Sequence, residues 1–453
     1  MTPKQSIFKV RRSYNQWVNN QTLEDYALRF TAKLARRFSF GQIANTALGS
    51  ISFLALEAIG AAITLNYGFT NAIFAILSVS LIIFLLAIPI CFYAAKTGLD
   101  IDLLTRGAGF GYLGSTITSL IYASFTFIFF ALETAIMAAA LKWIFGLPLI
   151  IGYVVCALVV IPLVTHGITF ISRFQSFTQP VWVFLQVIPV AIILISSPHV
   201  LNDWTLFEAI TSNQPNENDT QITGNSFYLP FFGAACAVIF ALVAQIGEQV
   251  DYLRFMPEKT QANNKKWWFT LIAAGPGWVV IGGIKMLIGS LLATIAIGQG
   301  LSLTEAADPT RMYTIAFGYV IDWPQASLVI AAVFVVIAQL KINVTNAYAG
   351  SIAWSNFFAR LTHSHPGRVV WLVFNVIIAL VLMELGIYQA FEHILSGYAL
   401  LAIAWLGALV GDLAINKPLK LSPPRIEFIR AYLYPINPVG IVSMTGAGAL
   451  GLV

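Results

Sequence analysis

Apolar residues run along this chain in long blocks, not at the three-to-four-residue spacing of a surface helix with one buried stripe. Ten blocks of about 20 apolar residues, the length of a bilayer-crossing helix, lie near 42–66, 70–95, 113–141, 147–168, 175–197, 227–250, 268–298, 325–352, 368–387 and 389–412. An eleventh begins near 439, and the sequence stops at Val453 before that helix could cross, as expected of a truncated chain. Polar stretches separate the blocks, the longest being "PHVLNDWTLFEAITSNQPNENDTQITGNS" at 198–226.

Composition agrees with the pattern. Of 453 residues, 58% are hydrophobic and 10% charged, which a bilayer accommodates and a soluble core does not. Basic residues are distributed by side. Lys4, Lys9, Arg11, Arg12, Arg29, Lys33, Arg36 and Arg37 precede the first block, and the loops sharing that side hold most of the remainder, from Lys96 and Arg106 to Arg425 and Arg430. The opposite loops hold Lys142 and Arg311. The positive-inside rule then predicts a multi-pass protein of the cell (inner) membrane with a cytoplasmic N-terminus and 198–226 outside. The net charge of +5 follows from this topology and predicts no nucleic-acid partner. The N-terminal forty residues are polar and amphipathic, unlike a signal peptide. Cys91, Cys156 and Cys236 fall in apolar blocks without metal or redox spacing, which predicts packing roles. His166, His199, His363, His365 and His393 show no ligand spacing. No phosphate loop, metal cluster or triad appears, so neither an enzyme nor a cofactor is expected.

The long loop divides the ten blocks into two sets of five. An odd number of crossings inverts the second set relative to the first, the arithmetic of an inverted-repeat secondary transporter. The expected organisation is a cytoplasmic segment 1–40, a first repeat 41–197, an outer loop 198–226, a second repeat 227–415, and a cytoplasmic loop with an incomplete helix at 416–453. The first helix of each repeat carries small and polar residues at mid-block, "ALGSISFLALEAIGA" (47–61) and "FGAACAVIFALVAQIGEQ" (232–249). Both are candidates for interrupted helices, or else for continuous ones packed closely at small residues.

Lys285, Lys341, Glu57, Glu133 and Glu248 are charged residues inside apolar blocks. A lysine at mid-membrane costs roughly 2.5–3.5 kcal/mol on insertion scales, so each needs a partner or a use. The carboxylates either fix packing by pairing with Lys285 or Lys341, or serve proton coupling and recognition of donor-rich ligand edges. Asp251 and Asp412 fall at the cytoplasmic ends of blocks, where solvation is inexpensive, and read as structural.

Three stretches carry a resemblance. "AAKTGLDIDLLTRGAGFGYLGS" (94–115) resembles the corresponding loop of bacterial cytosine permeases, "HGITFISRF" (166–174) is similar to a stretch of the hydantoin permease, and "DYLRF" (251–255) is similar to the cytosine permease at the end of the sixth helix. Together they resemble the nucleobase–cation symporter-1 family over residues 40–415. The resemblance implies an all-α integral membrane protein with a leucine-transporter-like fold of two inverted five-helix repeats, the chain ending inside an eleventh helix.

The resemblance also implies sites. The cation site would use the helix-1 carbonyls of Gly49 and Ser52 and the helix-8 positions Ala338, Lys341 and Ile342. Where the family commonly supplies hydroxyls, this chain has a lysine and an isoleucine, so the Lys341 ammonium is expected on the helix-1 carbonyls in place of sodium, with Glu57 as a nearby carboxylate. Substrate contacts would come from Phe129, at the place of a stacking tryptophan, from Thr126 and Glu133, from Leu242 where a second aromatic is usual, and from Gln245, Asn343 and Asn346. The implied function is import of a small polar nitrogen heterocycle of nucleobase, hydantoin or allantoin type by alternating access, independent of sodium, with protons as the coupling ion. The alternative from another class is a transporter-derived sensor whose signalling domain lies beyond the C-terminus.

Overall fold

The computed structural model describes residues 30–210, 226–362, 366–387 and 391–451. His363, His365, most of the loop 198–226 and most of the N-terminal segment lie outside the described residues. Among those described the architecture is all-α, with one isolated bridge, Phe30 to Leu99.

The helices are α1 (Phe40–Gly49), α2 (Ala55–Thr97), α3 (Ile101–Thr105), α4 (Gly114–Phe145), α5 (Leu149–Thr165), α6 (Gly167–Ser196) and α7 (His199–Thr205). The second half holds α8 (Leu229–Phe240), α9 (Gln245–Leu253), α10 (Asn264–Ala274), α11 (Trp278–Gly298), α12 (Leu303–Ala306), α13 (Pro309–Gly318), α14 (Pro324–Leu361), α15 (Arg368–Glu384), α16 (Phe391–Val410) and α17 (Pro438–Leu450).

Among the described residues, seven segments are long and apolar enough to cross a membrane. The ten expected blocks reduce to seven for physical reasons. The first two are joined in α2, where Gly68 at φ 77° and ψ 164° divides two limbs in a conformation that suits glycine. The fourth and ninth form helices of 17 residues each, α5 and α15. The seventh is two pieces, because Gly275, Pro276 and Gly277 separate α10 from α11.

Helix α6 shows which solvent the fold expects. It turns Phe177, Phe184 and Ile195 outward and buries Gln175 and Gln186. Apolar outside with polar inside is the arrangement suited to hydrocarbon surroundings.

The first expected interruption is present. After α1 a 3₁₀ turn covers Ser50–Ser52, Phe53 is extended (φ −60°, ψ 135°), and helix resumes at Ala55. Helix α14 satisfies groups freed there: the Leu54 N–H donates to Gln339 Oε1 (3.3 Å) and Ser52 Oγ donates to the Ala338 carbonyl (2.8 Å). The second interruption is milder than expected. Between α8 and α9 the chain tightens into a 3₁₀ turn at Ala241–Ala244, and the flanking Phe240, Ala241 and Gln245 keep right-handed helical angles. That segment is narrowed, not opened.

Close approach of backbones sets the centre. A Cβ on Gly60 would overlap the Met286 carbonyl, and one on Gly289 would overlap the Glu57 backbone, so α2 and α11 touch through glycines. Glu57 lies three residues before Gly60 and Lys285 four before Gly289. The glycine contact therefore brings the two charged side chains face to face.

Candidate functional site

The break at 50–54 is the hub of two lysine clusters. Lys285 on α11 donates to Glu57 Oε1 (2.7 Å), to Gln186 Oε1 (3.2 Å) and to the Ser52 carbonyl (3.3 Å), and lies 5.5 Å from the Trp182 ring centre. Glu57 Oε1 also accepts from the Tyr313 hydroxyl (3.0 Å) and from Gln186 Nε2 (3.1 Å). Tyr313 comes from the short helix α13, so this cluster ties a connecting segment to the broken helix and to α6.

Lys341 corrects an expectation. Its ammonium does not rest on the helix-1 carbonyls. It donates to Gln175 Oε1 (2.6 Å) and Thr178 Oγ1 (3.0 Å) on α6, while Gln175 Nε2 donates back to the Lys341 carbonyl (2.7 Å). The physical reason is the Gln175 amide, which fills the space that a Cβ on Gly49 would need and so stands between α1 and the lysine. Glu57 is likewise not the partner of Lys341, because Lys285 takes it.

Of the implied cation-site residues, Ser52 meets Ala338, Gly49 and Lys341 both meet Gln175, and Ile342 is buried. Three of their carbonyl oxygens are engaged by the protein: that of Ala338 by the Ser52 hydroxyl, that of Lys341 by Gln175, and that of Ser52 by the Lys285 ammonium. The ammonium on a helix-1 carbonyl is thus Lys285.

The implied substrate residues divide into two groups. Helices α4 and α14 pack along each other, with Asn343 Nδ2 donating to Thr134 Oγ1 (3.1 Å) and Gly350 against Thr126. Gln339, Asn343 and Asn346 share one face of α14 at helical spacing. The Glu133 carboxylate lies beside the Gln339 amide and the Ala55 N–H at the start of α2. Neither of its oxygens completes a hydrogen bond. Gln339 Nε2, Asn343 Oδ1 and both amide atoms of Asn346 are also buried without partners. Buried polar atoms are nearly always paired, so unpaired atoms on four side chains at one helix interface make it a candidate ligand site. Phe129, one turn from Glu133, packs on Phe125 (4.6 Å between ring centres) and edge-on to Phe53 (6.3 Å) at the break.

The second group is less open. Thr126 bonds Asn375 of α15 (3.3 Å) and the Ala123 carbonyl (2.7 Å), which makes it packing for that helix. Leu242 lies fully buried in the 3₁₀ turn against α16. Gln245 donates to Glu248 Oε2 (3.0 Å), and Glu248 Oε1 has no partner.

A second polar cluster lies at the basic-loop face. Asp102 pairs with Arg360 (2.8 Å) and Arg106 (3.1 Å), and Asp100 accepts from Asn356 (3.0 Å) and the Leu103 N–H (2.8 Å). Asp251, expected to be solvated, is buried there and accepts from Tyr122 (2.9 Å). Asp412 is also buried and pairs with Lys417 (3.2 Å). The cause in both cases is that neighbouring helices close over these helix ends.

The overall arrangement has close counterparts among solved structures. Mhp1, a nucleobase-cation-symport-1 family transporter, in a closed conformation with bromovinylhydantoin bound, aligns over 94% of this chain and 94% of its own with a TM-score of 0.64 and 16% identity. The chain has the fold of Mhp1. Mhp1 in an inward-facing conformation gives a TM-score of 0.62 at 17% identity over 94% of this chain and 89% of that one. A Na+-coupled sialic acid symporter in a substrate-bound outward-open state gives 0.53 at 15% identity, over 95% and 92%. No protein-family model matches the sequence, and no curated protein matches it. Like Mhp1, the chain is an all-α membrane protein of leucine-transporter-like fold, and at these identities the likeness is one of fold.

Glu57, Glu133 and Lys341 were legible as costly groups in apolar blocks. Gln175, Gln186, Tyr313 and Gln339 were missed as site residues. The signal for the glutamines was present: each is an uncharged polar residue within an apolar block. Tyr313, in a short connecting helix, gave none.

Proposed function

We propose that this protein is a secondary transporter that carries a small, polar, nitrogen-bearing heterocycle by alternating access. The observation that carries the reading is the set of unpaired polar atoms, on Glu133, Gln339, Asn343 and Asn346, between α4 and α14 beside the helix break. A broken helix next to open hydrogen-bonding groups at the repeat interface is where transporters of this architecture bind their solutes. Phe129 supplies an aromatic wall one turn below Glu133. Hydantoin-, allantoin- and nucleobase-type rings offer the flat N–H and C=O edges that such a wall and such side chains suit.

Transport on this reading does not use sodium. Hard cations require several free oxygen ligands, and the oxygens of Ser52, Ala338 and Lys341 already have protein partners, one of them an ammonium. The charge that neutralises Glu133 then enters with the solute, as a proton or as part of it. The basic loops place the N-terminus in the cytoplasm of a cell whose inner membrane holds the protein.

Uptake of labelled hydantoin, allantoin, cytosine and uracil into proteoliposomes tests the reading. Saturable uptake that falls in Asn346→Ala, with folding unchanged, is the expected result. Equal permeation through protein-free liposomes would remove it.

A further inference from the structure

The charges at the candidate site are not all paired. Glu57 is neutralised by Lys285 at 2.7 Å. Lys341 is held by the neutral Gln175 and Thr178 and pairs with no carboxylate. Glu133 is fully buried, has no ion-pair partner among the described residues, and leaves both oxygens open. Its neighbours, the Gln339 amide and the Ala55 N–H, are neutral, and the nearest lysine, Lys285, is already engaged.

The open atoms around it are also mostly acceptors. Between α4 and α14, Glu133 Oε1 and Oε2, Asn343 Oδ1 and Asn346 Oδ1 stand against two open donors, Gln339 Nε2 and Asn346 Nδ2. A neutral heterocycle such as a hydantoin brings as many carbonyls as N–H groups and would leave several of these oxygens unmatched. An amidinium or guanidinium plane brings N–H donors, no acceptor, and one positive charge, and it meets a carboxylate through two parallel hydrogen bonds. Phe129 stands one helical turn away on α4, where a ring face stabilises a desolvated cation.

We propose that the solute is a small planar organic cation of amidinium, guanidinium or protonated aminoheterocycle type, with Glu133 as its counter-ion and Asn343 and Asn346 as acceptors. This deepens the transporter reading and rests on it. A bound cation removes the cost of an isolated carboxylate in a dry site, and its charge lets the membrane potential drive uptake into a negative interior without a coupling ion.

The test uses the purified full chain and matched isosteres that differ in charge: 2-aminoimidazoline against 2-imidazolidinone, benzamidine against benzamide, and 2-aminobenzimidazole against 2-benzimidazolinone. Thermal shift in detergent gives binding, and current from a solid-supported membrane in sodium-free buffer at fixed pH gives charge movement. The expected result is preference for the cationic member by about tenfold or more, inward positive current for that member alone, and loss of the preference in Glu133→Gln. The wild-type comparison stands even if the variant does not fold. Equal or tighter binding of the neutral members overturns the proposal and leaves the transporter reading in place, with a proton on Glu133. Absence of binding by every member of both series overturns both.

Discussion

Removing either charge from the Glu57–Lys285 pair while leaving the other is the sharpest perturbation of the centre. In Lys285→Met the Glu57 carboxylate loses its 2.7 Å ion pair and keeps the Gln186 amide and the Tyr313 hydroxyl. In Glu57→Gln the ammonium keeps the Ser52 carbonyl at 3.3 Å and Gln186 at 3.2 Å. Breaking one side of a fully buried pair costs about 3–5 kcal/mol, mostly from the charge left without a partner. In the double variant neither charge of the pair remains, and replacement of such pairs by neutral groups of similar volume is often close to neutral. The double variant is therefore expected to lose less than the sum of the singles, with a coupling of about 2 kcal/mol or more. Chemical unfolding of the four proteins in the same micelles, followed by tryptophan fluorescence, measures the cycle. Additive losses, with coupling below about 0.5 kcal/mol, would refute the pair as the element holding α11 to the broken helix.

Two further outcomes follow from the basic-loop face. Burial and the neighbouring Asp102 carboxylate push Asp100 up to about 6, whereas in Asp102 the guanidinium groups of Arg360 and Arg106 outweigh burial and hold it down to about 2. The folded protein thus binds a proton at Asp100 more readily than the unfolded chain, and the stability from this is complete below about pH 4 and lost as pH rises through about 6. Asp100→Asn, which keeps an acceptor for the Leu103 N–H, should flatten the stability profile between these values and gain up to about 3 kcal/mol at neutral pH; an unchanged profile in unfolding measurements would contradict it. For orientation, a cysteine at Gln299 should label from outside intact cells and one at Ala262 should not, and the reverse pattern would invert the topology.

The helices were legible because a bilayer demands long apolar runs, and the ten expected blocks agree with the helical segments apart from junctions governed by glycine and proline. The break after α1 was legible from Gly49, Ser50 and Ser52, small or polar residues in an otherwise apolar block. Its counterpart was overestimated, since Ala241–Ala244 narrows without leaving the helical region. Which groups need partners was also legible, because a buried charge is costly wherever it points. Which partners they find was not. Lys341 and Lys285 were equivalent as charges in sequence, and only the packing of α6 against α14 sends one to Gln175 while the Gly60–Gly289 contact sends the other to Glu57 and Ser52. Ala338 meets Ser52 beside the break, but a long side chain on the same face of α14 can lean to either neighbouring helix.

Transport needs no sodium if protein groups occupy the place where that ion would couple it, with the Lys285 ammonium on the Ser52 carbonyl and the Ser52 hydroxyl on the Ala338 carbonyl. The most direct measurement is the initial rate of solute uptake into proteoliposomes in sodium medium and in medium with sodium replaced by choline. The account predicts the same rate in both. A strict requirement for sodium would contradict it.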